Sequence, residues 1–159
     1  MKTINTWLEE YGESHKNPTN KMVHWICVPA IFFSIVGLVW EIPFPWQDFT
    51  IWGFHPNWAI VSLLLVFGYY LTLSIPIALG MFIFGSACLA LLNVIDHSKE
   101  GNFPIWILSI SLFIVAWIGQ FWGHSVEGKK PSFLKDLQFL MIGPAWLMSF
   151  IYQKLGIKY

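Results

Sequence analysis

Residues 58–94 read WAIVSLLLVFGYYLTLSIPIALGMFIFGSACLALLNV, and this stretch decides the fold of the chain. It is almost entirely apolar, and it is too long for one ordinary transmembrane helix, which needs about 20 residues. Pro76 interrupts it, and proline disfavours helical geometry at the residue before it. The stretch therefore predicts two helices, residues 58–73 and 76–95, joined by a very tight turn. A single kinked helix is the alternative.

Three further apolar runs, at residues 23–40, 104–122 and 139–155, extend the same pattern. Of the 159 residues, 56% are hydrophobic and 11% are charged, whereas a soluble domain carries roughly 25% charged residues. A chain of this size cannot bury so much apolar surface by itself, so lipid must cover part of it. The sequence predicts an all-α, polytopic transmembrane bundle of about five helices. It forms one domain, residues 1–159, which starts with a polar, amphipathic segment at residues 1–22.

The distribution of charge predicts how the chain sits in the bilayer. The net charge is zero and all nine basic residues are lysines, which gives no basis for nucleic-acid binding. Lysines cluster before the first run and between the fourth and fifth, whereas residues 41–57 contain none. Cytoplasmic segments carry the excess of lysine, and five crossings gather both clusters there, whereas four would split them. Most of the tryptophans fall near run ends, as is typical of interfacial belts.

Three of the five histidines would share one membrane face if the chain crosses five times. His15 and His24 precede or begin the first run, and His124 follows the fourth. His15 and His24 are nine residues apart, about half a turn out of phase on one helix, but Asn17-Pro18 predicts a helix start between them. Histidine is the commonest metal ligand, so these three form a candidate site for non-haem iron or catalytic zinc. An interfacial hydrogen-bonding role for each is the alternative.

Five polar residues could complete this site: Asn20, Gln120, Glu127, Lys129 and Lys130. The first three fall at helical spacing from a histidine and would share its face, so we expect them to be ligands, to orient the rings or to contact substrate. One of the two lysines would receive a substrate carboxylate; a solvated loop is the alternative. His55 and His97 would lie at the other face, in a helix cap and a solvated turn.

Three motifs carry a resemblance to a known family. They comprise Tyr11, His15, Pro18, Asn20, His24 and Pro29; Gln120, Phe121, Gly123, His124, Glu127 and Pro131; and Leu134, Asp136, Leu137, Gly143 and Pro144. In order and spacing they resemble the 2-hydroxy fatty acid dioxygenase family of phytosphingosine degradation, a fungal family with bacterial and plant relatives. Residues 41–110 match only in hydrophobic character, and Ser132 stands where the family often has alanine.

The resemblance implies a membrane-embedded, Fe(II)-dependent dioxygenase that uses O2 to shorten 2-hydroxy long-chain fatty acids by one carbon, a fatty acid alpha-oxidation. It implies Fe(2+) bound by His15, His24 and His124 as catalytic residues. The protein would be multi-pass, in the endoplasmic reticulum membrane of a eukaryote or the inner membrane of a bacterium, with its metal facing the cytoplasm. From the residues themselves, a zinc-dependent membrane lipid hydrolase and a non-enzymatic carrier or assembly protein stay open.

Overall fold

The computed structural model describes residues 2–46, 55–97, 104–128 and 139–159. In these ranges the chain forms six helices and no strand, which confirms the all-α prediction. The helices are α1 (Ile4–Gly12), α2 (Pro18–Trp40), α3 (Trp58–Leu73), α4 (Ile75–His97), α5 (Ile105–Glu127) and α6 (Ile142–Leu155). Five helices follow α1, which agrees with the predicted number of about five.

The predicted break in the long apolar stretch is present. One residue, Ser74, separates α3 from α4 and has an extended backbone, with φ −166° and ψ 124°. Its N–H donates to the Tyr70 carbonyl at 2.9 Å, and its carbonyl accepts the Ala78 N–H at 2.9 Å. This single non-helical residue turns the chain back on itself, so that α3 packs along α4.

Small residues allow α2 and α5 to approach closely along their antiparallel contact, the most extensive between any two helices of the described chain. A Cβ atom placed on Gly119 would lie 2.7 Å from the sulfur of Cys27, and one placed on Gly37 would overlap the Ser109 hydroxyl. Glycine at such positions lets two membrane helices pack backbone to backbone. The start of α2 is thereby held against the end of α5, and this end of the bundle carries the candidate site.

Three helices are long and apolar enough to cross a bilayer. α2, α4 and α5 have 23 residues each, and each contains an 18-residue stretch with a mean hydropathy of 2.2, 2.3 and 1.9, respectively. α3 is a shorter apolar helix with 16 residues, and α6 has 14, whereas a crossing usually needs at least about 17. Large apolar side chains such as Leu65, Ile83 and Ile118 stand exposed on the outside of the bundle, where lipid would cover them.

The helix boundaries differ from the predicted runs where polar residues continue a helix. α2 begins at Pro18 rather than at residue 23, because the Asn17 side chain caps it by accepting the Thr19 N–H at 2.8 Å. α5 continues to Glu127 rather than ending at residue 122, and it stops at Gly128 in the left-handed conformation (φ 73°). α6 begins at residue 142 rather than 139. Hydropathy marks the lipid-facing length of a helix, not its hydrogen-bonded length.

Candidate metal centre

Three histidines meet at one end of the bundle. The ring centroids lie 4.2 Å apart for His15 and His24, 5.0 Å for His24 and His124, and 5.1 Å for His15 and His124. One ring nitrogen from each lies within 4.8 Å of the other two. All three side chains are buried. The sequence thus predicted correctly that these residues come together.

Each histidine reaches this point from a different element. His15 lies in the connection between α1 and α2, which turns at the capping residue Asn17. His24 lies in the second turn of α2, and His124 lies in the last turn of α5. The two helices approach closely here because a Cβ atom on Gly123 would lie only 2.5 Å from the side-chain oxygen of Asn20. Helix packing, rather than a local sequence motif, therefore assembles the cluster.

Main-chain carbonyls orient two of the rings. Nδ1 of His15 donates to the Tyr11 carbonyl at 2.6 Å, and Nδ1 of His24 donates to the Asn20 carbonyl at 2.9 Å. A carbonyl can only accept, so each Nδ1 carries the hydrogen and Nε2 of the neutral ring keeps its lone pair. His97 makes the same type of bond at 2.8 Å but belongs to no group of three potential metal ligands in the described chain. The bond fixes the tautomer, and the convergence of three rings makes the site.

Aromatic side chains enclose the cluster. The Tyr11 ring stacks on His15 with a centroid distance of 4.3 Å and an interplanar angle of 9°. Trp146 on α6 lies 5.2 Å from both rings and is only 4% exposed. Trp146 is thus buried inside the bundle and packs against a histidine. The sequence identified Tyr11 only as a residue of a family motif and assigned it no role at the site. No spacing pattern predicts the position of Trp146, because tertiary contacts bring α6 to the cluster.

Glu127 fastens the α1–α2 connection to the end of α5. Its carboxylate accepts the Lys16 N–H at 2.7 Å, the Asn17 N–H at 3.2 Å and the Asn20 side-chain N–H at 2.8 Å. The same Asn20 amide group also donates to the Ser14 carbonyl at 3.2 Å. A negative charge in the last turn of α5 opposes that helix's dipole, but it also faces the N-terminus of α2, where a negative charge is favourable. Glu127 thus holds the histidine-bearing connection in place.

A small cavity of about 20 Å³ lies beside the histidines, enough for one water-sized molecule. Its walls are formed by Tyr11, His24, Val28, Ile31, Trp117, Gln120, His124, Phe139, Leu140 and Gly143. Imidazole, phenol and amide groups thus line the same space as aliphatic and aromatic side chains. A wall of this composition suits a ligand with a polar head and an apolar tail.

A larger cavity of about 210 Å³ lies between α3 and α4, and its lining is mostly apolar. None of the three clustered histidines lines it. The predicted site residues are placed as follows. The three histidines form the cluster, Gln120 lines the small cavity beside them, and the Asn20 side chain is hydrogen-bonded to the Glu127 carboxylate. Lys129 and Lys130 lie outside the described residues.

The donor set fits a divalent transition metal. Neutral imidazoles suit iron, zinc, copper and nickel alike, and three of them leave coordination positions open for small ligands. In the ranges that the structure describes, no carboxylate or thiol joins the three rings. The cluster by itself therefore does not select one metal, and the choice depends on the chemistry of the reaction.

Comparison with known proteins gives a consistent result. The model of a family described as Mpo1-like, 2-hydroxy-palmitic acid dioxygenase Mpo1-like, matches residues 1–155. The 2-hydroxy-palmitic acid dioxygenase MPO1 of Saccharomyces cerevisiae is 32% identical over 150 residues, which cover 92% of this chain and 78% of the yeast protein. No solved structure matches the chain. The family resemblance seen in the sequence motifs is confirmed.

Proposed function

The chain belongs to the Mpo1-like family of 2-hydroxy-palmitic acid dioxygenases, and we propose that it is a membrane-embedded, Fe(II)-dependent dioxygenase that shortens 2-hydroxy long-chain fatty acids by one carbon. Membership of the family supports the dioxygenase activity. The observation that carries the finer proposal is the convergence of His15, His24 and His124, buried, with one ring nitrogen of each within 4.8 Å of the others. These three residues would hold the iron.

The reaction favours a redox-active metal over zinc, and we propose that this metal is iron. Zn²⁺ has no redox chemistry, whereas the cleavage of a carbon–carbon bond by O2 requires a metal that exchanges electrons. Fe(II) held by His15, His24 and His124 would supply the redox chemistry that O2 needs to cleave the bond between C1 and C2 of the substrate. The three imidazole rings are neutral, so they would not compensate the two positive charges of Fe(II). The site would therefore favour an anionic ligand such as a 2-hydroxy carboxylate.

The chain's own residues would prepare the site for this ligand. The Tyr11 and Asn20 carbonyls fix the tautomers of His15 and His24, so that Nε2 faces away from the backbone. Packing of Tyr11 and Trp146 against His15 excludes water from one side of the cluster. A rigid, water-poor centre of this kind strengthens electrostatic interactions with an anionic head group.

The membrane would deliver the substrate. Each buried CH2 group contributes about 0.8 kcal/mol to partitioning, so a long-chain acid resides in lipid with its head group at the interface. The apolar side chains of Val28 and Ile31 line the small cavity and lie farther along α2 than His24, toward the interior of the bundle. The acyl tail would follow them toward the bilayer. We further propose that the site faces the cytoplasm, in the endoplasmic reticulum membrane of a eukaryote or the inner membrane of a bacterium.

The test combines metal analysis with turnover. Protein purified without oxygen is loaded with Fe(II), given 2-hydroxypalmitate and O2, and assayed for O2 uptake and for the fatty acid one carbon shorter. We expect the wild type to consume one O2 per shortened acid, with C1 released as CO2 and one water formed, which balances the reaction without a further reductant. The His24→Ala variant should lose both metal and turnover. His97→Ala is the matched control, because His97 also bonds a main-chain carbonyl one turn away but lies outside the cluster.

Three results would contradict the proposal. Iron-loaded wild type that neither consumes O2 nor shortens the acid would exclude the dioxygenase. Zinc retained through purification, with lipid hydrolysis that proceeds without O2, would favour a zinc-dependent membrane hydrolase, which the three-histidine donor set also accommodates. Equal metal content in the wild type and His24→Ala would show that the cluster is not the metal site.

A further inference from the structure

Gln120 has a buried amide with no partner in the described chain. It lies on α5 one turn before His124, is 8% exposed, and lines the small cavity together with His24 and His124. No described residue forms a hydrogen bond with its side chain, whereas the buried amide of Asn20 donates to both Glu127 and Ser14. The Gln120 amide atoms are not among the fully enclosed polar atoms without a partner, so they are open to the cavity and can bind a ligand that enters it.

Resting on the proposed function, we infer that the Gln120 side chain binds the head group of the 2-hydroxy acid and selects for its hydroxyl. A carboxamide carries two N–H donors and one carbonyl acceptor. The donors match a substrate carboxylate, and the acceptor matches the 2-hydroxyl group. The chain contains no arginine, so no guanidinium is present to take the carboxylate, and the amide offers the complementary pair within the cavity of the histidines.

This geometry predicts discrimination between 2-hydroxy acids and ordinary fatty acids. When an acid without the hydroxyl enters, the Gln120 carbonyl loses its donor and remains buried without a partner, which disfavours binding. The loss of one such hydrogen bond corresponds to about a tenfold to hundredfold change in affinity. Gln120 is thus a specificity-determining residue, distinct from the histidines that hold the metal.

The test uses two variants of the full-length protein in detergent or nanodiscs. Gln120→Met keeps the length and volume of the side chain and removes both donor and acceptor, and Gln120→Asn keeps the amide but shortens its reach. Gln153→Met is the control, because Gln153 lies exposed on α6 with its amide bonded to the Tyr159 hydroxyl. The measurements are iron content, anaerobic binding of 2-hydroxypalmitate and of palmitate, and kcat and KM.

We expect Gln120→Met to keep its iron, to bind 2-hydroxypalmitate about tenfold to hundredfold more weakly, and to lose less affinity for palmitate, which can make only the carboxylate contact with Gln120. The affinity of Gln120→Asn for 2-hydroxypalmitate should lie between those of the wild type and Gln120→Met, and the affinity of Gln153→Met should equal that of the wild type. Equal binding of 2-hydroxypalmitate by the wild type and both Gln120 variants would overturn the inference, and so would loss of iron in the variants, since Gln120 would then act on the metal. Wild type without turnover would instead refute the proposed function.

Discussion

Replacement of Glu127 by alanine should weaken metal binding without removing a ligand. The carboxylate accepts hydrogen bonds from Lys16, Asn17 and Asn20, and each charge-assisted bond contributes about 1.5–3 kcal/mol. Water replaces part of this, because Glu127 is only half-buried. We therefore expect the hydrogen bonds of Glu127 to stabilise the position of the connection that carries His15 by a net amount of about 1.5–3 kcal/mol. Their loss corresponds to about a tenfold to hundredfold fall in metal affinity. Residues that orient metal ligands have effects of this size.

The assay is a competition titration. Apo-protein and a chromophoric chelator compete for Co²⁺ or Zn²⁺, and the dissociation constant is compared between the wild type, Glu127→Ala and the control Glu10→Ala. Glu10 on α1 forms an exposed ion pair with Lys2, which precedes the helix. Such pairs contribute about 0–1 kcal/mol, so the control should bind metal as the wild type does. Wild-type affinity in Glu127→Ala would refute this reasoning. Complete loss of binding, as expected for His24→Ala, would also refute it, because Glu127 would then behave as a ligand.

Two further substitutions test the packing around the site by thermal unfolding in detergent. Gly123→Ala would place a Cβ atom 2.5 Å from the Asn20 side chain, so it should destabilise the protein by about 1–3 kcal/mol and weaken metal binding. The control is Gly68→Ala, whose Cβ atom would meet nothing within 4 Å; it should leave metal binding unchanged and stability unchanged or slightly higher. Equal behaviour of the two variants would argue against the close contact between α2 and α5. Tyr70→Phe removes the hydrogen bond from the buried hydroxyl to the Met141 carbonyl and should lower stability by about 1–3 kcal/mol; an unchanged melting temperature would mean that this bond does not hold α6 to α3.

The sequence by itself determined the features that depend on neighbouring residues. Long apolar runs fixed the membrane class, Pro76 placed the break that Ser74 makes, and Asn17-Pro18 marked the start of α2. The helix cap predicted around His55 is also present: the Asn57 side chain accepts the Ile60 N–H at 3.0 Å. These signals are local because a helix begins, ends or spans a bilayer according to residues within a few turns.

Tertiary structure decided how these pieces meet. The sequence placed His15, His24 and His124 on one face, but only the close packing of α2 against α5 brings their nitrogens within 4.8 Å. The roles of Glu127 and Trp146 could not be predicted, because Glu127 binds main-chain groups 110 and 111 residues away and Trp146 reaches the cluster through the packing of α6. Hydropathy and spacing describe one helix at a time, whereas a metal centre depends on contacts between helices that are distant in sequence.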